Sequence, residues 1–232
     1  SGGVVSLHPY TVVFGADGFV MWSPDCADFT LTGAGNAYVT GQKIVRGLPL
    51  RGGPGASPSG LLWSLDSVIR MAYVGGTDGF QFDTISTQSS IMSANCVIEY
   101  DGIFYWVGSD RFLTFNGVVR EVPNTMNMNY FFDGLNISQR MKVFAVKVTR
   151  FGEIWWCYPR GDATECTHAI ILNVREGTWY DCELPNEGRS AGLSPAVYNR
   201  PLMTGTQPSL YAQAYDLVIA NGGTGYTDGD VL

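Results

Sequence analysis

Glycine-centred turns constrain this chain more than any other feature of it. Asp101-Gly102 stands between two apolar segments, Cys96 to Tyr100 and Ile103 to Val107. An Asp-Gly pair favours the positive φ angles of a two-residue hairpin turn, because glycine has no Cβ and a short Asp side chain tolerates the left-handed region. The two segments are therefore predicted to pair antiparallel. The same design recurs. Asp17-Gly18 separates Leu7 to Phe14 from Phe19 to Trp22, and Asn116-Gly117 separates Phe112 to Phe115 from Val118 to Arg120. Gly75 to Gly79, Phe151-Gly152 and Arg175-Glu176-Gly177 mark three more turns, each between strand-like runs.

The fold class that follows is all-β. In each unit a strand and a turn lead into a second, aromatic strand, carrying Trp22, Phe82, Trp106, Trp155 with Trp156, or Trp179. These tryptophans and Trp63 are expected to be structural, filling space between sheets. Unevenly spaced hairpins of this kind predict propeller-like blades, with a β-sandwich as the alternative. The blades fall at about 7–32, 61–85, 94–122 and 142–182 within a domain of residues 1–192. Residues 193–210 carry three prolines and no period, which predicts a linker or arm. The Gly-rich stretch 211–232 is expected to open a separate small β module. Helical periodicity is weak; Met126 to Met141 predicts only a short helix or irregular link.

Charge narrows the function. Charged residues make up 15% of the chain, against about 25% in ordinary soluble domains, so part of the surface is expected to be covered by partners. The net charge of −7 argues against a tight grip on nucleic acid, which needs a basic stripe. Arg140, Lys142, Lys147 and Arg150 form only a weak one, since Lys142 and Lys147 lie on opposite faces of a strand. Arg70, Arg111 and Arg120 are expected in interface or turn pairs. The longest apolar runs are five residues, far short of the roughly 20 needed for a spanning helix. No signal peptide is visible, and without an initiator Met the chain is read as a processed product or a fragment of something longer. The five cysteines, Cys26, Cys96, Cys157, Cys166 and Cys182, are odd in number and irregularly spaced; they are expected as free thiols of a reducing compartment.

Candidate chemistry is sparse. The two histidines, His8 and His168, lack a Gly-x-Ser-x-Gly elbow, which leaves no expected serine triad. Cys157, Cys166, His168 and Cys182 are a possible zinc set, but structural zinc usually shows closer Cys pairs; a Cys157–Cys166 disulfide is a minority alternative to buried thiols. Glu99 with Asp101, and Asp181 with Glu183, are the paired carboxylates a glycosidase needs, although Asp101 is already explained by its turn. Gly33 to Asn36 reads as a turn rather than a nucleotide loop, and Asp228-Gly229-Asp230 as a turn rather than a calcium site. The reading is of a protein that is not an enzyme and holds no cofactor or metal. Arg51, Gly52, Gly53, Pro54 and Gly55 open a flexible loop expected to line a lumen or touch a neighbour.

From Trp63 to Tyr180 the chain resembles the tail tubular, nozzle or packaged-DNA-stabilising proteins of short-tailed bacteriophages. The resemblance rests on Trp63 to Arg70, Val97 to Gly108, Asp110-Arg111-Phe112, Phe115-Asn116-Gly117 and Glu153 to Pro159. It implies a propeller-containing subunit of a hexameric ring near the tail tip, located in the virion and assembled in the host cytoplasm. It also implies tail adaptor and fibre proteins as partners, and double-stranded DNA that is retained and then passed through the ring. A tail-associated protein that binds or cleaves polysaccharide is the alternative.

Overall fold

The computed structural model describes residues 2–52, 55–76, 78–124, 128–185, 188–195, 201–206 and 210–212. It is all-β. Four antiparallel sheets follow one another along the chain, each made of four consecutive strands. The first holds β1 (Gly3–Leu7), β2 (Tyr10–Phe14), β3 (Phe19–Ser23) and β4 (Gly35–Tyr38). The second holds β5 (Ile44–Pro49), β6 (Ser59–Ser64), β7 (Val68–Gly75) and β8 (Gly79–Ser86). The third holds β9 (Ile98–Tyr100), β10 (Ile103–Val107), β11 (Phe112–Phe115) and β12 (Val119–Glu121), and the fourth β13 (Phe144–Val148), β14 (Glu153–Tyr158), β15 (His168–Asn173) and β16 (Thr178–Glu183). A three-stranded sheet follows, from β17 (Arg189–Leu193), β18 (Leu202–Gly205) and β19 (Leu210–Ala212). The helix α1 (Met128–Gly134) and a 3₁₀ segment, Ile137–Lys142, occupy the weakly helical stretch.

The turns take the predicted backbone. Asp17 and Gly18 have φ of 57° and 68°, Asp101 and Gly102 of 50° and 80°, and Gly117 of 105°. At Gly18 a side chain is excluded twice over, since a Cβ there would also stand 1.9 Å from the Thr40 carbonyl oxygen.

The chain divides into two compact units. One comprises Ser1–Ala94, Asp101–Ser109 and Leu113–Glu121, the other Asn95–Tyr100, Asp110–Phe112 and Val122–Leu232. In the first, strands β1 to β3 alternate inward apolar residues at the period of two that a half-buried strand requires. Val5, Val12 and Trp22 lie in register and join Leu7, Phe14, Val20, Ile44, Leu62, Ile69, Met71 and Phe80 in one core. Gly35, opposite Trp22, leaves room for the indole; a Cβ would stand 2.5 Å from its ring. Trp63 packs against Trp106 and Phe104 at ring distances of 5.7 and 5.6 Å.

In the second unit β14 is buried along its whole length, because both faces of its sheet are covered. On one face Phe144, Val146, Trp155, Cys157, Ala169 and Ile171 pack with Leu184 and Met203. Gly192 of β17 lies close here, where a Cβ would stand 2.5 Å from Val146. On the other face Trp156 and Trp179 stack at 5.9 Å, and Phe112 meets them at 5.2 and 4.8 Å. Each indole N–H is satisfied by a carbonyl, Trp156 to Cys96 at 2.9 Å and Trp179 to Pro123 at 2.8 Å, as burial of such a group demands.

Several boundaries differ from the expected ones. The run Leu7 to Phe14 is not one strand, since the chain turns at His8-Pro9 and the first sheet begins at Gly3. The second sheet begins at Ile44 rather than 61, because β5 hides behind Arg46, Gly47 and Pro49, which break its alternation; a register shift sits at Arg46. Residues 193–210 are not simply a linker. Leu202–Gly205 forms the middle strand of the last sheet, where short strands and nearby prolines masked the pattern. Of the expected Gly-rich module, 213–232 lie outside the described residues.

Candidate functional site

A group of ionisable side chains lies at one end of the fourth sheet. Antiparallel register sets Tyr158, His168 and Glu183 side by side across β14, β15 and β16, with Asp181 one row further along the same face beside Ile170. Arg160 follows β14, and Tyr130 comes from α1. The Arg160 guanidinium donates through Nη1 to the Tyr130 carbonyl at 2.7 Å and to the Tyr158 hydroxyl at 3.2 Å. It also lies 3.6 Å over the Tyr130 ring. Gly134 permits this approach, since a Cβ there would stand 2.2 Å from Nη1. Backbone bonds from Gly161 to Gly134 and from Asn136 to Pro159 complete the join. The arrangement clamps the helix end to the sheet.

Electrostatics around the clamp follow from burial, from that cation and from the neighbouring carboxylates. Burial raises the Tyr158 hydroxyl pKa, while the Arg160 hydrogen bond opposes the shift. His168 is held below its ordinary value, first by burial and then by Arg160, against the pull of Glu183 and Asp181. The Thr167 hydroxyl meets its Nδ1 at 3.0 Å. Asp181 is half-buried and Glu183 exposed.

The other predicted residues separate. Glu99 accepts from Lys147 at 3.4 Å, while Asp101 is spent in its hairpin turn. Cys157, Cys166 and Cys182 share one neighbourhood, and all five cysteines are thiols. Burial pushes the Cys157 thiol well up, Cys166 up to about 12 and Cys182 up to about 11. Among the described residues no three His, Cys, Asp or Glu side chains converge on a point where a metal ion fits. Trp22, Trp63, Trp106, Trp155, Trp156 and Trp179 are all buried. In the Arg51 loop, Arg51, Gly52 and Gly55 are exposed, and Gly53 and Pro54 lie outside the described residues. Among the described residues no helix is long and apolar enough to cross a membrane.

Sequence reasoning missed Arg160, whose only signal was its place after the aromatic strand and before Gly161. It also missed Glu153, a carboxylate only 4% exposed. Glu153 accepts the Trp155 indole N–H at 2.9 Å and the Tyr180 hydroxyl. The alternation of Glu153, Trp155 and Cys157 on one face was the available clue.

No protein-family model matches the chain, and no curated protein matches it.

Proposed function

We propose that this chain is a virion structural protein of a short-tailed bacteriophage, a tail nozzle subunit that joins others in a ring and forms a conduit and gate for genomic DNA. The observation that carries the reading is that all six tryptophans are consumed in packing successive four-stranded sheets. The aromatic wealth of the chain builds a scaffold, and no indole is left on the surface for a ligand. The resemblance of residues 63–180 to tail tubular and nozzle proteins supplies the remainder, and the low charge suits surfaces buried against neighbours. The partners are other copies of the chain, a tail adaptor, fibre proteins and DNA in transit, and the location is the virion tail. Native mass spectrometry or cryo-EM of the full-length protein tests this. A closed ring that binds a tail adaptor is expected, and a stable monomer that never joins one overturns the reading.

The competing reading, a protein acting on polysaccharide, draws on Asp181 and Glu183 beside His168. It requires capsule-degrading activity that disappears in Asp181→Asn or Glu183→Gln.

A further inference from the structure

Two hairpin turns of the fourth sheet bring together arginines 25 positions apart in sequence. The Arg175 guanidinium donates through Nη2 to the Thr149 carbonyl at 2.8 Å and through Nη1 to the Arg150 carbonyl at 3.2 Å. Its backbone N–H is held by the Asn173 side chain at 3.0 Å. Gly152, at φ 74°, makes room for its stem; a Cβ there would stand 2.7 Å from Arg175 Cδ. Arg150 lies over the Phe151 ring at 5.2 Å. Both arginines are exposed. Each charge is thus positioned before any partner arrives, which lowers the ordering cost of binding.

Three other cations of the second unit are treated differently. Lys142 pairs with Glu165, Lys147 with Glu99, and Arg111 with Asp110. Among the described residues neither Arg150 nor Arg175 pairs with a carboxylate, although Glu176 follows Arg175 directly. The neutralisation of Lys142 and Lys147 also removes the stripe that a phosphate backbone would need. What remains is a compact dicationic corner on a chain whose net charge is −7. Such a corner suits carboxylates on a protein surface, and planar guanidinium groups bind carboxylates in a fixed geometry.

We propose that the Arg150–Arg175 corner docks on a second copy of this chain, at the turn that carries Asp25 and Asp28. This inference rests on the ring reading above and names a contact within it. Asp25 is exposed and, among the described residues, faces no cation; its side chain holds the Ala27 N–H at 2.9 Å. The corner belongs to the second compact unit and Asp25 to the first. The contact therefore joins two different patches, and head-to-tail contacts of that kind generate rings when the rotation closes.

The test uses the full-length protein in native mass spectrometry at low salt. Arg150→Glu, which replaces a side chain lying over the Phe151 ring, is expected to weaken association roughly tenfold or more. Arg150→Lys keeps the charge and the assembly, and Arg150→Glu combined with Asp25→Arg restores it. As a second measurement, a short bismaleimide is expected to link Cys26, between the two aspartates, to a cysteine introduced by Glu176→Cys, giving a ladder of covalent oligomers. A wild-type ring with Arg150→Glu assembling equally well, or with no ladder, overturns the contact while leaving the ring reading intact. Loss of double-stranded DNA retention in Arg150→Glu with an unchanged mass distribution overturns it in favour of nucleic acid. A wild-type protein that stays monomeric overturns both.

Discussion

Arg160 stacks on the ring of Tyr130, with 3.6 Å between guanidinium carbon and ring centre, while donating to the carbonyl of the same residue at 2.7 Å. One side chain thus fixes both the backbone and the aromatic ring of α1 against the end of β14. Arg160→Ala removes a cation–π contact and two hydrogen bonds from a charged donor. The expected loss is about 2 kcal/mol, read as a lower urea midpoint and faster proteolysis between residues 128 and 142. Arg160→Lys recovers only part of it, since an ammonium cannot lie flat on the ring while bonding two oxygens.

Trp156 makes a sharper case. Its ring is fully buried and its N–H meets the Cys96 carbonyl. Trp156→Ala is expected to cost about 3–5 kcal/mol, enough to unfold a marginal unit. Trp156→Phe costs less, because it keeps most of the volume and loses the hydrogen bond. Denaturant titration of both variants distinguishes these outcomes; equal losses would show that packing contributes nothing beyond the polar contact.

His168 gives a pH dependence with a definite sign. Its folded-state pKa lies below the ordinary 6.5, so the folded protein favours the neutral ring. The stability it contributes is present above pH 6.5 and is lost as the pH falls through the depressed folded value. Urea midpoints measured from pH 8 to 5 should fall more steeply in the wild type than in His168→Gln. Parallel curves would remove His168 from the account.

The thiols act in the opposite direction. Burial raises Cys166 to about 12 and Cys182 to about 11, from an ordinary 9. Their contribution is whole below pH 9 and is lost as the pH rises through those folded values. In the native protein at pH 8 an aromatic disulfide reagent should titrate Cys26 first, because it is exposed. Cys157 and Cys166 should react only on unfolding. A fast phase that includes Cys166 contradicts this.

Much of this fold was legible because local chemistry and long-range pairing agree. Asp101-Gly102 dictates a turn that no partner needs to enforce, and the aromatic strands after such turns are buried as their alternation predicts. β5 was hidden because Arg46 and Pro49 are tolerated at a register shift and a strand end, where pairing to β6 decides the structure. The candidate sites were less legible. Arg160 finds Tyr130 across 30 residues, and Arg175 finds Thr149 across 26. Neither closure leaves a spacing that a single chain reveals. Asp101 shows the converse, a carboxylate whose turn geometry accounts for it fully.

The burial of β14 on both faces has a consequence for motion. A central strand with hydrogen-bonded neighbours on each side, and no residue open to water, has no local route by which its amides reach solvent. Deuterium uptake at Ile154 to Cys157 is therefore expected to proceed only through opening of the entire second unit. The slowest amides of that strand would report its global unfolding free energy directly, and the turn at Gly161 would exchange long before them.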